Sequence, residues 1–290
     1  MSYDARVVNG IWAWGLVAAL GAAPGEAATA EAHDVSGAAT VDAIATPGRR
    51  CAPPEPVDVL FIGNSYLLMH RIEALVAALG DQAGVKLRTE LLAMGGKNFE
   101  YHVARDETAE VLASREWDYV ILQSHSLDTI RNREGFLVAG EGLVELVREA
   151  GAEPLLFETW ARKADSSIYR FGRAGYDPPQ MHEMVHDGYA QLSRRTGAEV
   201  IDVGAAWLAF TEHVPDLDPY ASDSNHPGKL GSYLSANVVF AALTDLTPVG
   251  NVETLLGLSD EAARLAQRQA ADVVGPECDA LTPIGASAAH

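Results

Sequence analysis

The sequence predicts an α/β protein built on a doubly wound, five-stranded parallel sheet, with helices on both faces in a three-layer α/β/α arrangement. Three observations predict it. From residue 57 to 242, short apolar runs alternate with amphipathic helical stretches, the pattern of right-handed βαβ units. The first run is near-continuously apolar, as a strand buried on both faces must be. Glycine, amide and hydroxyl residues follow the runs, at the carboxyl ends where such sheets carry their sites.

The elements follow in order. Residues 57–62 (VDVLFI) form the first strand and 71–80 a helix, with Ile72, Leu75, Val76 and Leu79 on one stripe. Strands are expected at 86–92, 117–122, 153–157 and 199–203, and helices at 134–150, 181–196 and 228–243. One doubly wound domain over 55–275 accounts for all of them, leaving 276–290 as a C-terminal tail.

Composition narrows the partners. The chain has 290 residues, 48% hydrophobic and 21% charged, which excludes disordered, collagen-like and disulfide-dense classes. Forty acidic residues against 21 basic ones give a net charge of −19. Such a surface repels phosphate, so neither nucleic acid nor an anionic membrane is an expected partner.

The N-terminal segment reads differently. Residues 7–23 carry no charge and are followed by small residues suited to signal-peptide cleavage after Ala28 or Ala30. Residues 1–30 are therefore expected to be a signal peptide and 31–54, rich in Ala, Thr, Gly and Pro, a linker. Export would make the protein secreted or periplasmic, with no membrane insertion after signal removal. Cys51 and Cys278, the only cysteines, flank the folded region. They are either a disulfide joining its ends or two separate thiols.

The strand ends carry the chemistry. The first runs into Gly63-Asn64-Ser65-Tyr66, the second into Gly95-Gly96-Lys97-Asn98 and the third into Gln123-Ser124-His125. Asp223-Ser224-Asn225-His226-Pro227 stands on a loop before the last core helix. A serine needs a base to become a nucleophile, and His226 can serve. Asp223 can hold the imidazole in the required tautomer. The oxyanion needs preset donors, and the N–H groups of Ser65 and Gly96 with the Gln123 side-chain amide can supply them.

These motifs resemble the SGNH (GDSL-type) hydrolases: Gly-Asn-Ser after the first strand, Gly-Gly after the second and Asp-x-x-His near the end, over about residues 57–243. The resemblance implies a flavodoxin-like fold with Ser65 as nucleophile, His226 as base, Asp223 as its partner and Gly96 in the oxyanion hole. It implies ester substrates and no cofactor. The third block departs from the family, with Gln123 where Asn is usual. Tyr66, Asn98, Trp160 and Arg162 are expected to contact substrate, a carbohydrate O-acetyl ester being preferred over a lipid or thioester. Arg162 opens a locally basic segment to Arg173 that could meet an anionic group.

One competing motif is present. His182-Glu183-Met184-Val185-His186 matches the H-E-x-x-H signature of zinc peptidases. No third ligand is visible in the sequence, so no metal is expected and a surface helix is preferred.

Overall fold

A computed structural model describes residues 56–170, 175–250, 255–276 and 278. The expected signal peptide, linker and Cys51, and with Cys51 the disulfide question, lie outside the described residues. So do Arg173 and the end of the tail.

The chain order is β1 (Val57–Gly63), α1 (Ser65–Leu68), α2 (Ile72–Gln82), β2 (Leu87–Ala93), α3 (Phe99–Val103), α4 (Asp106–Leu112), β3 (Tyr119–Leu122), α5 (Asp128–Arg131) and α6 (Arg133–Glu149). It continues with β4 (Glu153–Phe157), α7 (Ser167–Arg170), α8 (Pro178–Thr196), β5 (Glu199–Ile201), α9 (Val203–His213), α10 (Lys229–Thr244) and α11 (Asp260–Val274). The strands form one parallel sheet in the order β2-β1-β3-β4-β5, so the expected α/β fold is the observed one.

β1 shows why three layers form. Every residue of β1 is buried. Val57, Val59 and Phe61 pack with α2, α9, α10 and α11, whereas Leu60 and Ile62 pack with α3, α6 and α8. Side chains alternate across a strand, so one apolar run feeds two cores. α10 is covered nearly all round, with Leu230 to Ala241 buried; of its buried polar residues, Ser235 Oγ donates to the Gly231 carbonyl at 2.9 Å and Asn237 Nδ2 to the Tyr233 carbonyl at 2.7 Å.

Several boundaries differ from those expected. α8 begins at Pro178 rather than 181 because Asp177 and Gln180 form a capping box ahead of its first apolar residue. β5 ends at Ile201, and Val203 instead opens α9, where it is fully buried. α3, α4, α9 and α11 were not expected at all. The buried stripe of α11 is largely alanine, Ala262, Ala263, Ala266 and Ala270, too weakly apolar to stand out as a periodic signal.

The order β2-β1-β3 reverses direction beside β1, so crossovers on either side of it leave to opposite faces. The crevice at its carboxyl end is where a doubly wound sheet takes its ligand. Ser65 stands there.

Candidate active site

Ser65 opens α1, and Asn64 caps that helix by accepting from the Tyr66 N–H at 3.1 Å. Gly63 lets the turn approach β3: a Cβ there would come within 2.5 Å of Gln123 Oε1. That oxygen accepts from the Asn64 N–H at 2.9 Å, while Asn64 Nδ2 donates to the carbonyls of Lys97 at 2.8 Å and Ser124 at 3.3 Å. One asparagine thus ties the ends of β1, β2 and β3 together and holds the serine on a rigid turn.

His226 arrives on a loop closed by backbone hydrogen bonds, Ala221 N–H to the His226 carbonyl and Gly228 N–H to the Pro219 carbonyl, both 2.8 Å. Within it Ser224 adopts a left-handed φ of 60°. Asp223 Oδ1 accepts from the N–H groups of Asn225 at 3.1 Å and His226 at 2.9 Å, and Oδ2 meets His226 Nδ1 at 2.5 Å. His226 Nε2 lies 2.9 Å from Ser65 Oγ. With Nδ1–H given to the carboxylate, Nε2 carries the lone pair that can take the serine proton. Partial burial by itself would raise Asp223, but the hydrogen bonds from the His226 ring and the two backbone N–H groups outweigh it and hold the carboxyl below its ordinary value.

A cavity of about 310 Å³ opens over Ser65, lined by Asn64, Gly95, Gly96, His125, Asn225 and His226 among others. Gly96 has φ +71° in the turn closed by Lys97 N–H to the Met94 carbonyl at 3.1 Å, the positive φ that a type II turn needs at its third position. A wider hollow of about 560 Å³ between α6 and α8 is lined by charged residues such as Glu141, Arg148 and Arg195 and holds no nucleophile.

The remaining expected contacts are placed as follows. Tyr66 borders the cavity, though only 3% of it is exposed. Burial pushes its hydroxyl up to about 12, so it stays a hydrogen-bond donor. Gln123 does not reach the cavity: it is fully buried, with Oε1 on Asn64 N–H and Nε2 on the Ser124 carbonyl. Its longer side chain folds back onto the backbone instead of into the hole. Trp160 is also fully buried, stacked between Tyr66 at 4.3 Å and Trp207 at 4.0 Å, with its indole N–H on the Asn225 carbonyl. It backs the loop that carries His226. Asn98 caps α3 through Oδ1 on the Tyr101 N–H and is not among the cavity-lining residues. Arg162 stands back from the cavity, close enough for its charge to act on Tyr66 and His125. Lys163, its basic neighbour, is paired with Asp218 at 2.5 Å.

Among the lining residues not expected from the sequence, which include Ser126 and Asn225, is His125. Its Nδ1 accepts from the Leu127 N–H at 3.3 Å. Desolvation, with Arg162 and Arg131, lowers its pKa against the pull of Asp128. The ring is therefore neutral with its proton on Nε2, which makes it a donor.

The H-E-x-x-H helix does not assemble a peptidase site. His182 and His186 both border the buried Glu158 at the end of β4, while Glu183, the expected base, is exposed.

No protein-family model matches the chain, and no curated protein matches it in sequence. Solved structures do. A protein of Slackia heliotrinireducens, provisionally described as an SGNH hydrolase, is 25% identical with a TM-score of 0.54, over 64% of this chain and 98% of its own. A DUF4886 family protein of Bacteroides uniformis reaches a TM-score of 0.67 at 22% identity, over 78% of this chain and 98% of its own. A variant of Axe2, an acetyl-xylooligosaccharide esterase from a Geobacillus, has a TM-score of 0.50 at 16% identity, over 64% and 94%. The fold is that of the SGNH-type hydrolases.

Proposed function

We propose that this protein is a serine hydrolase of short-chain carboxylic esters, acting through an acyl-enzyme on Ser65. The single observation that carries the proposal is the chain of contacts Asp223–His226–Ser65, at 2.5 and 2.9 Å, opening on one cavity.

His226 Nε2 takes the Ser65 proton as Oγ bonds to the ester carbonyl carbon. The carbonyl oxygen becomes an oxyanion, received by the N–H groups of Ser65 and Gly96 and by His125 Nε2–H in place of the usual asparagine amide. Collapse breaks the bond to the alcohol oxygen, which leaves with the proton held by His226. Water then repeats the sequence on acyl-Ser65, releasing the acid and restoring the serine. Asp223 stabilises the imidazolium in both halves.

Size points to the acyl class. A cavity of about 310 Å³ is at the lower end of the roughly 300–1,000 Å³ range of small-molecule sites. Asn64, His125, Ser126 and Asn225 are among its lining residues, and the surface they leave exposed there is mostly apolar. Acetyl esters of carbohydrates fit such a site better than long-chain lipids or thioesters, and one neighbour of the same fold is an acetyl-xylooligosaccharide esterase. Of the side chains expected to meet the sugar, Tyr66 borders the cavity but is almost wholly buried, and Trp160 is fully buried behind it.

The test is a p-nitrophenyl ester series from C2 to C12, with acetylated xylo-oligosaccharide alongside. Highest kcat/KM at C2, with acetate released from the sugar, supports the proposal. A maximum at C8 or beyond replaces it with a lipase or thioesterase on the same triad, and no turnover of any ester overturns it.

A further inference from the structure

Away from the triad, at the carboxyl ends of β4 and β5, two carboxylates and two imidazoles converge. Glu158 follows β4 and is fully buried. Asp202 follows β5 and precedes α9, with no side-chain capping bond to that helix. His182 and His186 come from α8, one turn apart, with ring centroids 5.9 Å apart. His186 Nδ1 is 2.7 Å from Glu158 Oε2, and His182 Nδ1 is 3.7 Å from Glu158 Oε1. One ligand atom each from Glu158, His186 and Asp202 lies within 4.8 Å of the others.

Two of these atoms lack the partner that burial demands. Glu158 Oε1 and His182 Nδ1 are both buried, and neither makes a hydrogen bond. A buried carboxylate oxygen without a partner is costly. The two atoms face each other at 3.7 Å, too far for a hydrogen bond. That separation is close to the ~3.3–3.5 Å between two ligands of one tetrahedral ion with bonds of about 2.0–2.2 Å.

Gly204 lets the carboxylate come close to the start of α9, since a Cβ there would come within 2.5 Å of Glu158 Oε1 and 2.5 Å of the Thr159 carbonyl. Any larger residue there would push into the cluster.

We propose that Glu158, His182, His186 and Asp202 form a binding site for a divalent transition-metal ion, with Zn²⁺ the best match, that fastens α8 to the ends of β4 and β5. The donor set is nitrogen and oxygen, which suits zinc better than the oxygen-seeking calcium or magnesium. Glu183, the base of the sequence motif, is exposed, so the site's role is structural. It is independent of ester hydrolysis at Ser65.

Isothermal calorimetry and thermal unfolding of chelator-treated protein with added Zn²⁺ test the proposal, with Co²⁺ absorption as a direct view of the ligands. The wild type should bind one Zn²⁺ per chain, unfold at a higher temperature with the metal, and show an intense four-coordinate Co²⁺ band. Ser65→Ala should bind equally well. His186→Ala, at a half-exposed position, and Asp202→Asn, which conserves shape, should each lose at least tenfold in affinity. No heat and no thermal shift in the wild type would overturn the proposal. So would unchanged affinity in both variants, or a Co²⁺ spectrum no stronger than the aqueous ion.

Discussion

The Tyr66 hydroxyl donates to Asn225 Oδ1, joining the residue after Ser65 to the residue before His226. The contact spans 159 positions of sequence and sets how far apart Ser65 and His226 stand. Tyr66→Phe removes only that hydroxyl. We expect kcat to fall about tenfold, the equivalent of one hydrogen bond worth about 1.4 kcal/mol, with KM and the unfolding temperature nearly unchanged. Steady-state kinetics on p-nitrophenyl acetate check it, and an unchanged kcat would show that the tie positions nothing.

Removing the triad should have the large effects of residues that act as a unit. Ser65→Ala and His226→Ala are each expected to lower kcat by more than about 10⁴-fold, and Asp223→Asn by about 10⁴-fold through the wrong tautomer. Single-turnover assays with each variant measure this. His226→Ala retaining a tenth of wild-type activity would rule out the base.

Asp223 carries a pH signature. Its carboxyl is held below its ordinary value, so the stability it contributes is fully present above the unfolded-state pKa of about 3.9. That stability is lost as pH falls through the lower folded value. The difference in unfolding temperature between wild type and Asp223→Asn should therefore shrink between pH 6 and pH 3. Differential scanning calorimetry of the two proteins across that range measures it.

The resemblance gives the third oxyanion donor to Gln123, whereas the proposed function gives it to His125. His125→Ala should lower kcat by about 10²–10³-fold with little change in KM, as loss of an oxyanion donor does. Gln123→Leu leaves the buried Asn64 N–H without its acceptor, and should cost about 1–3 kcal/mol of stability in urea unfolding. If Gln123→Leu retains full stability yet loses kcat a hundredfold, the two assignments must be reversed.

Much of the fold was legible because its signals are local. β1 reads as a strand from its own apolar residues, and α2 reads from the spacing of Ile72, Leu75, Val76 and Leu79. α11 was not legible, since alanines that pack closely against α10 look unremarkable until that helix is beside them. The candidate triad was legible as chemistry at strand ends. The geometry brings Ser65, His226 and Asp223 into contact, and leaves Trp160 behind the cavity and Asn98 outside it.

By itself the sequence determined the α/β class, the order of the strands along the chain and the residue types at their carboxyl ends. These follow from hydrophobic periodicity and turn chemistry, which act over a few neighbouring residues. Only the tertiary structure decided the rest. It turned Gln123 inward and His125 toward the cavity, and it brought Glu158 and Asp202 from two strand ends to the histidines of α8. The physical reason is that a side chain's partners are set by which strand ends become neighbours in the sheet. That depends on the packing of the whole chain and is not written in any one segment.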